Sequence, residues 1–348
     1  MTTNRRELVT SGMACLATLA AAKWRTSRAA DSVQPLGRPN SRINGVQIGV
    51  QSYSFRNLPD QTPEAIARYC RDLGINAVEL QGSSLGYPIE EFEGVELKFD
   101  TAKLSKVEQR SEPAMPPLSA AEQQERDEVM AALAAYKRRL AGLRAKASMR
   151  HFERVRGIFD DAGVSIYAFK PTTFEADNTD AEVDYGMRAA KVLGANQVNV
   201  EMPSDFAQVR RLSAHAARHG LKVGYHAHLE ATPTLWDAAM AQSRANAINL
   251  DLGWYVAADG ADPLGFIRRH HARIDSMHLK DRQNIAHGQR DLPWGQADTP
   301  IAAALQLMRD QHYSFPAAIE LEYDIPPGSD ILKEIGKCLD YCKRALAS

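Results

Sequence analysis

No sign of charge predominates in this chain: 42 Lys and Arg stand against 43 Asp and Glu, a formal net charge of −1. That balance excludes the basic footprint of a nucleic-acid binder and the basic stripe that would hold an acidic membrane surface. Cysteine is scarce, with four in the whole sequence. Cys15 falls in the N-terminal leader described below, so Cys70, Cys338 and Cys342 remain, and an odd number is no disulfide framework. Cys338 and Cys342, one helical turn apart, are expected as packed thiols. Past residue 30 no apolar run is long enough to cross a bilayer as a helix. A glycine-rich phosphate cradle is also missing, so nothing in the sequence demands a phosphorylated ligand. What remains, 44% hydrophobic and 24% charged, is the composition of an ordinary globular protein.

Residues 1–30 read as a twin-arginine export signal. Arg5-Arg6 precedes a weakly apolar run from Leu8 to Ala22, closed by Lys23 and Arg25, and small residues at Ala22 or Ala29-Ala30 suit cleavage. Such a signal carries proteins already folded, so the expected location is the periplasm or beyond, with any ion loaded beforehand. Residues 31–44 read as a linker and 45–348 as one domain.

From Ile48 the chain alternates short β-branched runs with amphipathic stretches. Strands are expected near Ile48 (IGVQSYSF), Ala77 (AVELQG), Ser165 (SIYAFKP), Gln197 (QVNVEMP), Val223 (VGYHAHLE), Ile248 (INLDLGW), Asp275 (DSMHLKD) and Ala318 (AIELEY). A helix between successive strands implies parallel β-α units, and eight of them close into a (β/α)₈ TIM barrel of about 250 residues. Gly74, Gly163, Gly194 and Gly220 each stand where a helix must stop before the next strand, a left-handed position. The long gap between the second and third strands holds an insertion at about 84–147. Its charged stretch AEQQERDEVMAALAAYKRRLAGLRAKA reads as helix. It leaves the C-terminal end of a strand, where active sites of this architecture lie, and so suits a lid, a contact in a homo-oligomer, or a plain solvated excursion.

Ionisable residues collect at the ends of strands five to eight, at alternate positions and hence on one face. They are His226 and His228, then Asp251, then His278 with Lys280, then Glu320 with Glu322. Were these strands neighbours, one histidine, Asp251, His278 and Glu320 would converge as a mixed nitrogen and oxygen shell for one divalent metal. That shell suits Mn²⁺, Zn²⁺, Co²⁺ or Fe²⁺ better than Ca²⁺. Without an ion, such buried groups would repel or stand unpaired at about 1–3 kcal/mol each.

From Ile48 to about Ile335 the sequence resembles the xylose-isomerase-like superfamily of sugar isomerases and epimerases, most nearly its exported sugar phosphate isomerase/epimerase branch. The matching text is LKVGYHAHLE, LDLGWYVAAD, DPLGFIRRHHARIDSMHLKDR, PWGQADTPI and AIELEY. The resemblance implies Asp251, His278 and Glu320 as metal ligands. Strand five departs from it: epimerases of the superfamily carry a ligand Glu where this chain reads His226-Ala227-His228. His226 is favoured by register, with His228 as the alternative. Trp254 stands where many relatives have a second His, which argues against the multi-metal endonucleases of the same barrel.

The activity implied is isomerisation or epimerisation of a sugar or keto sugar by removal of a proton beside a carbonyl, through an enediolate. Loss of the strand-five Glu brings a lyase or dehydratase acting on a keto sugar or glycoside into view, and outside enzymes a non-catalytic sugar-binding protein. Glu320 is the expected base, with His226 or His228 as partner. Lys280 is expected either to steady an oxyanion or protonate a leaving oxygen, or to be tied up in a salt bridge with Asp281 or Glu322. Glu201, Asn199 and Glu230 are expected to bind substrate hydroxyls or orient a ligand histidine. Tyr53, Phe55, Trp254 and Trp294 are candidates for stacking on the sugar, and Arg290 for an anionic group on it.

Overall fold

Short runs rich in Val, Ile, Leu and Ala favour strands buried on both faces, and eight such strands form. They are β1 (Val46–Gln51), β2 (Ala77–Gln81), β3 (Ser165–Lys170), β4 (Gln197–Glu201), β5 (Lys222–His226), β6 (Asn246–Asp251), β7 (Ile274–Leu279) and β8 (Ala317–Ile319). The computed structural model describes residues 38–82, 99–110, 116–258 and 260–348. The export signal expected at 1–30, the first part of the linker and the opening of the insertion therefore lie outside the described residues.

Each strand pairs in parallel with the next, and β8 returns to β1 through Ile48↔Ala317, Gly49↔Ala318 and Val50↔Ile319. That last ladder closes the (β/α)₈ barrel and leaves no barrel strand with an open edge. The four glycines all hold left-handed conformations after their helices. At Gly220 (φ 63, ψ 35) the amide donates to the Ala216 and Ala217 carbonyls, a geometry that costs other residues about 1 kcal/mol.

Order begins earlier than the linker expected through residue 44. Arg42–Ile43 pairs antiparallel with Val46 and Gln47 across a turn in which Asn44 (φ 46) and Gly45 (φ 89) both take positive φ. The buried Ser41 hydroxyl donates to the Ile48 carbonyl at 2.6 Å. Asn-Gly is the residue pair such a two-residue turn favours, so the hairpin was written in the sequence.

The described part of the 91–147 segment belongs to a compact unit of its own. Its helices, Thr101–Arg110 and Ala120–Arg144, bury Leu104 and Val107 against Val129, with Phe99 and Leu133 around them. Ser119 and Glu122 form a capping box at the start of the longer helix, and Arg110 meets Glu122 at 2.6 Å.

Candidate metal centre

Parallel register sets Glu201 level with His226 at the ends of β4 and β5, and Asp251 level with His278 at the end of β6 and near that of β7. Glu320 follows directly on β8. His226, Asp251, His278 and Glu320 are all buried, and one ligand-type atom from each lies within 4.8 Å of the other three. The convergence expected of strands five to eight is thus present, with His226 as its strand-five member.

Each of the four is oriented by something behind it. The Trp254 amide donates to Asp251 Oδ1 at 2.8 Å, capping the helix Leu252–Ala257, which leaves Oδ2 free to face the centre. Gly253 permits this tight start: a Cβ there would lie 2.7 Å from Lys280 Cβ and 2.9 Å from its carbonyl oxygen. His226 Nδ1 sits 3.0 Å from Glu201 Oε2, itself ion-paired with Lys170, so Nε2 points inward, 3.4 Å from Asp251 Oδ2. His278 Nε2 lies 2.8 Å from Glu79 Oε2, which leaves Nδ1 directed at Glu320 Oε2, also 2.8 Å away. A carboxylate behind a ligand imidazole fixes its tautomer and raises its basicity.

The electrostatics follow from that enclosure. Burial works against the charged forms everywhere here. It is outweighed at His226, raised to about 8 by the Glu201 charge and hydrogen bonds to Asp251 and Glu201. It is outweighed at His278, raised well above the usual histidine range by Glu79 and Glu320. Despite the same burial, Lys280 with His226 holds Asp251 well below the carboxylate range, and Lys280 with His278 does so for Glu320. Lys280 is itself buried, its Nζ 3.0 Å from Asp251 Oδ2, 3.2 Å from Glu320 Oε2 and 2.6 Å from Glu322 Oε2.

The residues fit a divalent ion. His278 Nδ1 and Glu320 Oε2 approach to 2.8 Å, and neither buried atom makes a hydrogen bond by geometry, although the Lys280 ammonium pairs with Glu320 Oε2 at 3.2 Å; a cation between them would satisfy both. Five carboxylates (Glu79, Glu201, Asp251, Glu320, Glu322) gather around two ammonium groups, Lys170 and Lys280, and two imidazoles of raised pKa, and a divalent cation can take over the charge that the imidazole protons supply. Two imidazoles with two carboxylates are donors for Mn²⁺, Zn²⁺, Co²⁺ or Fe²⁺.

Other expected residues scatter. His228 lies just past the end of β5, partly exposed, its ring 4.7 Å from His226 and edge-on to Trp254 at 5.0 Å. Burial and the neighbouring His226 lower its pKa, so it is a neutral base at pH 7. Glu201 is beside the centre, whereas Glu230 is exposed and accepts from the His228 amide. Asn199 is part of a buried polar floor, where Gln197 donates to Asn199 and Ser276, and Asn249 donates to Ser276. Arg290 is exposed and reaches only Gln283; the guanidinium on Trp254 is that of Arg282, 3.5 Å from the ring centre. An Arg282↔Asp291 bridge sets which residue of that loop faces in. Phe55 is fully buried against Tyr69, a core residue rather than a rim aromatic, Tyr53 lies under Arg56, and Trp294 meets Tyr341 edge-on. Asp281 is no partner of Lys280. Its carboxylate accepts the backbone amides of Gly295, Gln296, Ala297 and Thr299 and pins the rim loop.

The sequence model of the xylose isomerase-like TIM barrel matches residues 91–342. The chain belongs to that family. Solved structures share the family fold across most of the chain. A sugar phosphate isomerase/epimerase from Parabacteroides distasonis is 15% identical, with TM-score 0.54 over 85% of this chain and 95% of that one. D-psicose 3-epimerase from Clostridium cellulolyticum H10 is 11% identical (TM-score 0.55; 86% and 99%). The 3-keto-D-glucoside 4-epimerase of E. coli is 10% identical (TM-score 0.53; 86% and 99%). Identities this low carry the fold and no more. No curated protein sequence matches the chain.

Glu79 is the residue that sequence reasoning missed. A lone acid in the apolar run AVELQ was its signal, since a buried strand position tolerates a carboxylate only with a partner. Glu79→Gln keeps the shape and removes the charge behind His278. Affinity for Mn²⁺, titrated calorimetrically, is expected to fall about 10- to 100-fold. Undiminished affinity would mean that Glu79 merely fills space.

Proposed function

We propose that this family member is a divalent-metal-dependent sugar isomerase or epimerase working on a sugar or keto sugar. The observation that carries the reading is the meeting of His226, Asp251, His278 and Glu320, from four consecutive strands, around one point at the carboxyl end of the barrel. Those four would hold the ion, which when bound acidifies a C–H beside a carbonyl and stabilises the enediolate left by its loss. Glu320, ionised at neutral pH, would take the proton. His228 at the mouth, which can take up a proton from solvent, would deliver that second proton on the opposite face, while the abstracted one stays on Glu320; His226 is engaged by Glu201 and Asp251. Trp254, backed by Arg282, would seat the sugar, and Glu201 would accept a substrate hydroxyl.

A second reading uses the same centre. With imidazole rather than carboxylate on β5 and an ammonium group at Lys280, the site also has an acid to protonate a leaving oxygen, as a lyase or dehydratase requires. Deuterium from D₂O at the carbon beside the carbonyl would support isomerisation or epimerisation. An unsaturated ketone absorbing in the ultraviolet would mean elimination. If the Mn²⁺-loaded chain does neither with a panel of ketoses, 3-keto sugars and 3-keto glycosides, the enzymatic proposal is wrong.

We further propose export of the folded chain through the signal at residues 1–30. Arg5→Lys with Arg6→Lys should trap it in the cytoplasm in a cell-fractionation assay; unchanged export would refute a twin-arginine route.

A further inference from the structure

The oxygens that would hold the ion are already in use. Lys280 Nζ lies 3.0 Å from Asp251 Oδ2 and 3.2 Å from Glu320 Oε2, the atoms that also face the two ligand imidazoles. The ammonium is fully enclosed, and its third contact, Glu322 Oε2 at 2.6 Å, is the shortest of the three.

We infer that Lys280 is a built-in counter-ion that yields Asp251 and Glu320 to the metal and shifts its charge to the Glu322 side. Two like charges cannot share the same pair of oxygens without repulsion, which in a dry interior is strong. One carboxylate pair therefore has two alternative cationic partners, and each weakens the hold of the other by the same factor. The ion-free centre keeps its buried carboxylates compensated, and the ammonium has a contact in hand, Glu322, through which to withdraw. This rests on reading the centre as an ion site.

The test uses the full chain and Mn²⁺ alone, with no sugar. Lys280→Met should tighten Mn²⁺ binding by about tenfold or more in calorimetric titration. It should also lower the thermal midpoint of the ion-free protein and enlarge the rise on adding Mn²⁺, because Asp251 and Glu320 then lose the ammonium they share. Glu322→Gln should weaken Mn²⁺ binding in the parent, where it removes the retreat for Lys280, and do so far less in the Lys280→Met background. Diamagnetic Zn²⁺ should shift the ¹⁵N signal of Lys280 Nζ in the parent, a readout that decides the matter even if Lys280→Met fails to fold. Unchanged or weaker Mn²⁺ binding by Lys280→Met, or a Lys280 signal indifferent to Zn²⁺, overturns the inference. If neither the parent nor any variant binds an ion, the reading of the centre falls and this inference with it.

Discussion

Glu320→Gln is expected to lower turnover by about 10²- to 10⁴-fold at saturating Mn²⁺, the usual contribution of a positioned proton acceptor. The side chain is buried beside His278 and Lys280, and both hold it in the ionised form. An amide keeps its volume and one acceptor oxygen, so circular dichroism should be unchanged while solvent exchange at the substrate carbon disappears. Activity should be compared at several Mn²⁺ concentrations, because the substitution also removes a ligand charge. A variant that exchanges deuterium at the parental rate would strip Glu320 of its role as base.

Asp251→Ala combined with His278→Ala should abolish tight ion binding, seen as the loss of about one equivalent of transition metal from the purified protein in elemental analysis. Half of the four converging donors vanish, and Asp251 also caps the helix that starts at Leu252, so stability should drop by about 1 kcal/mol from the cap alone. In the parent, protons compete with the ion for His226, whose pKa is raised to about 8. Affinity should therefore weaken as pH falls below that value and level off above it. Histidine stabilisation of the ion-free chain has the opposite sense: it is complete below the ordinary histidine value near 6.5 and fades as pH rises through about 8. A double variant that still retains a full equivalent of metal would place the ion elsewhere.

The barrel and most of its centre could be read from residues because each left a periodic or terminal mark. Strand-end placement made Asp251, His278 and Glu320 legible, and the register of β6 with β7 sets Asp251 level with His278. Register favours His226, yet alternation puts His228 on the same face. The strand ends at His226, and past that point two-residue periodicity says nothing of direction. Lys280 was read with two partners in view: Glu322 is one, while Asp281 points to the other side of the strand and is held by loop amides. Loop residues carry no period, so the sequence points to Arg290 and gives no sign of Arg282, whose bridge to Asp291 only the fold shows. Glu79 was missed because its partner lies on a strand distant in sequence.

The rim loop after β7 draws its shape from outside itself. One carboxylate, Asp281, collects main-chain donors from Gly295, Gln296, Ala297 and Thr299, none of which depends on what side chain those positions carry. Gln296 and Ala297 are thus free to change in kind while the backbone keeps its course, whereas Asp281 itself is not. Side-chain chemistry at those two positions can therefore drift, in a lineage or a library, at constant backbone geometry.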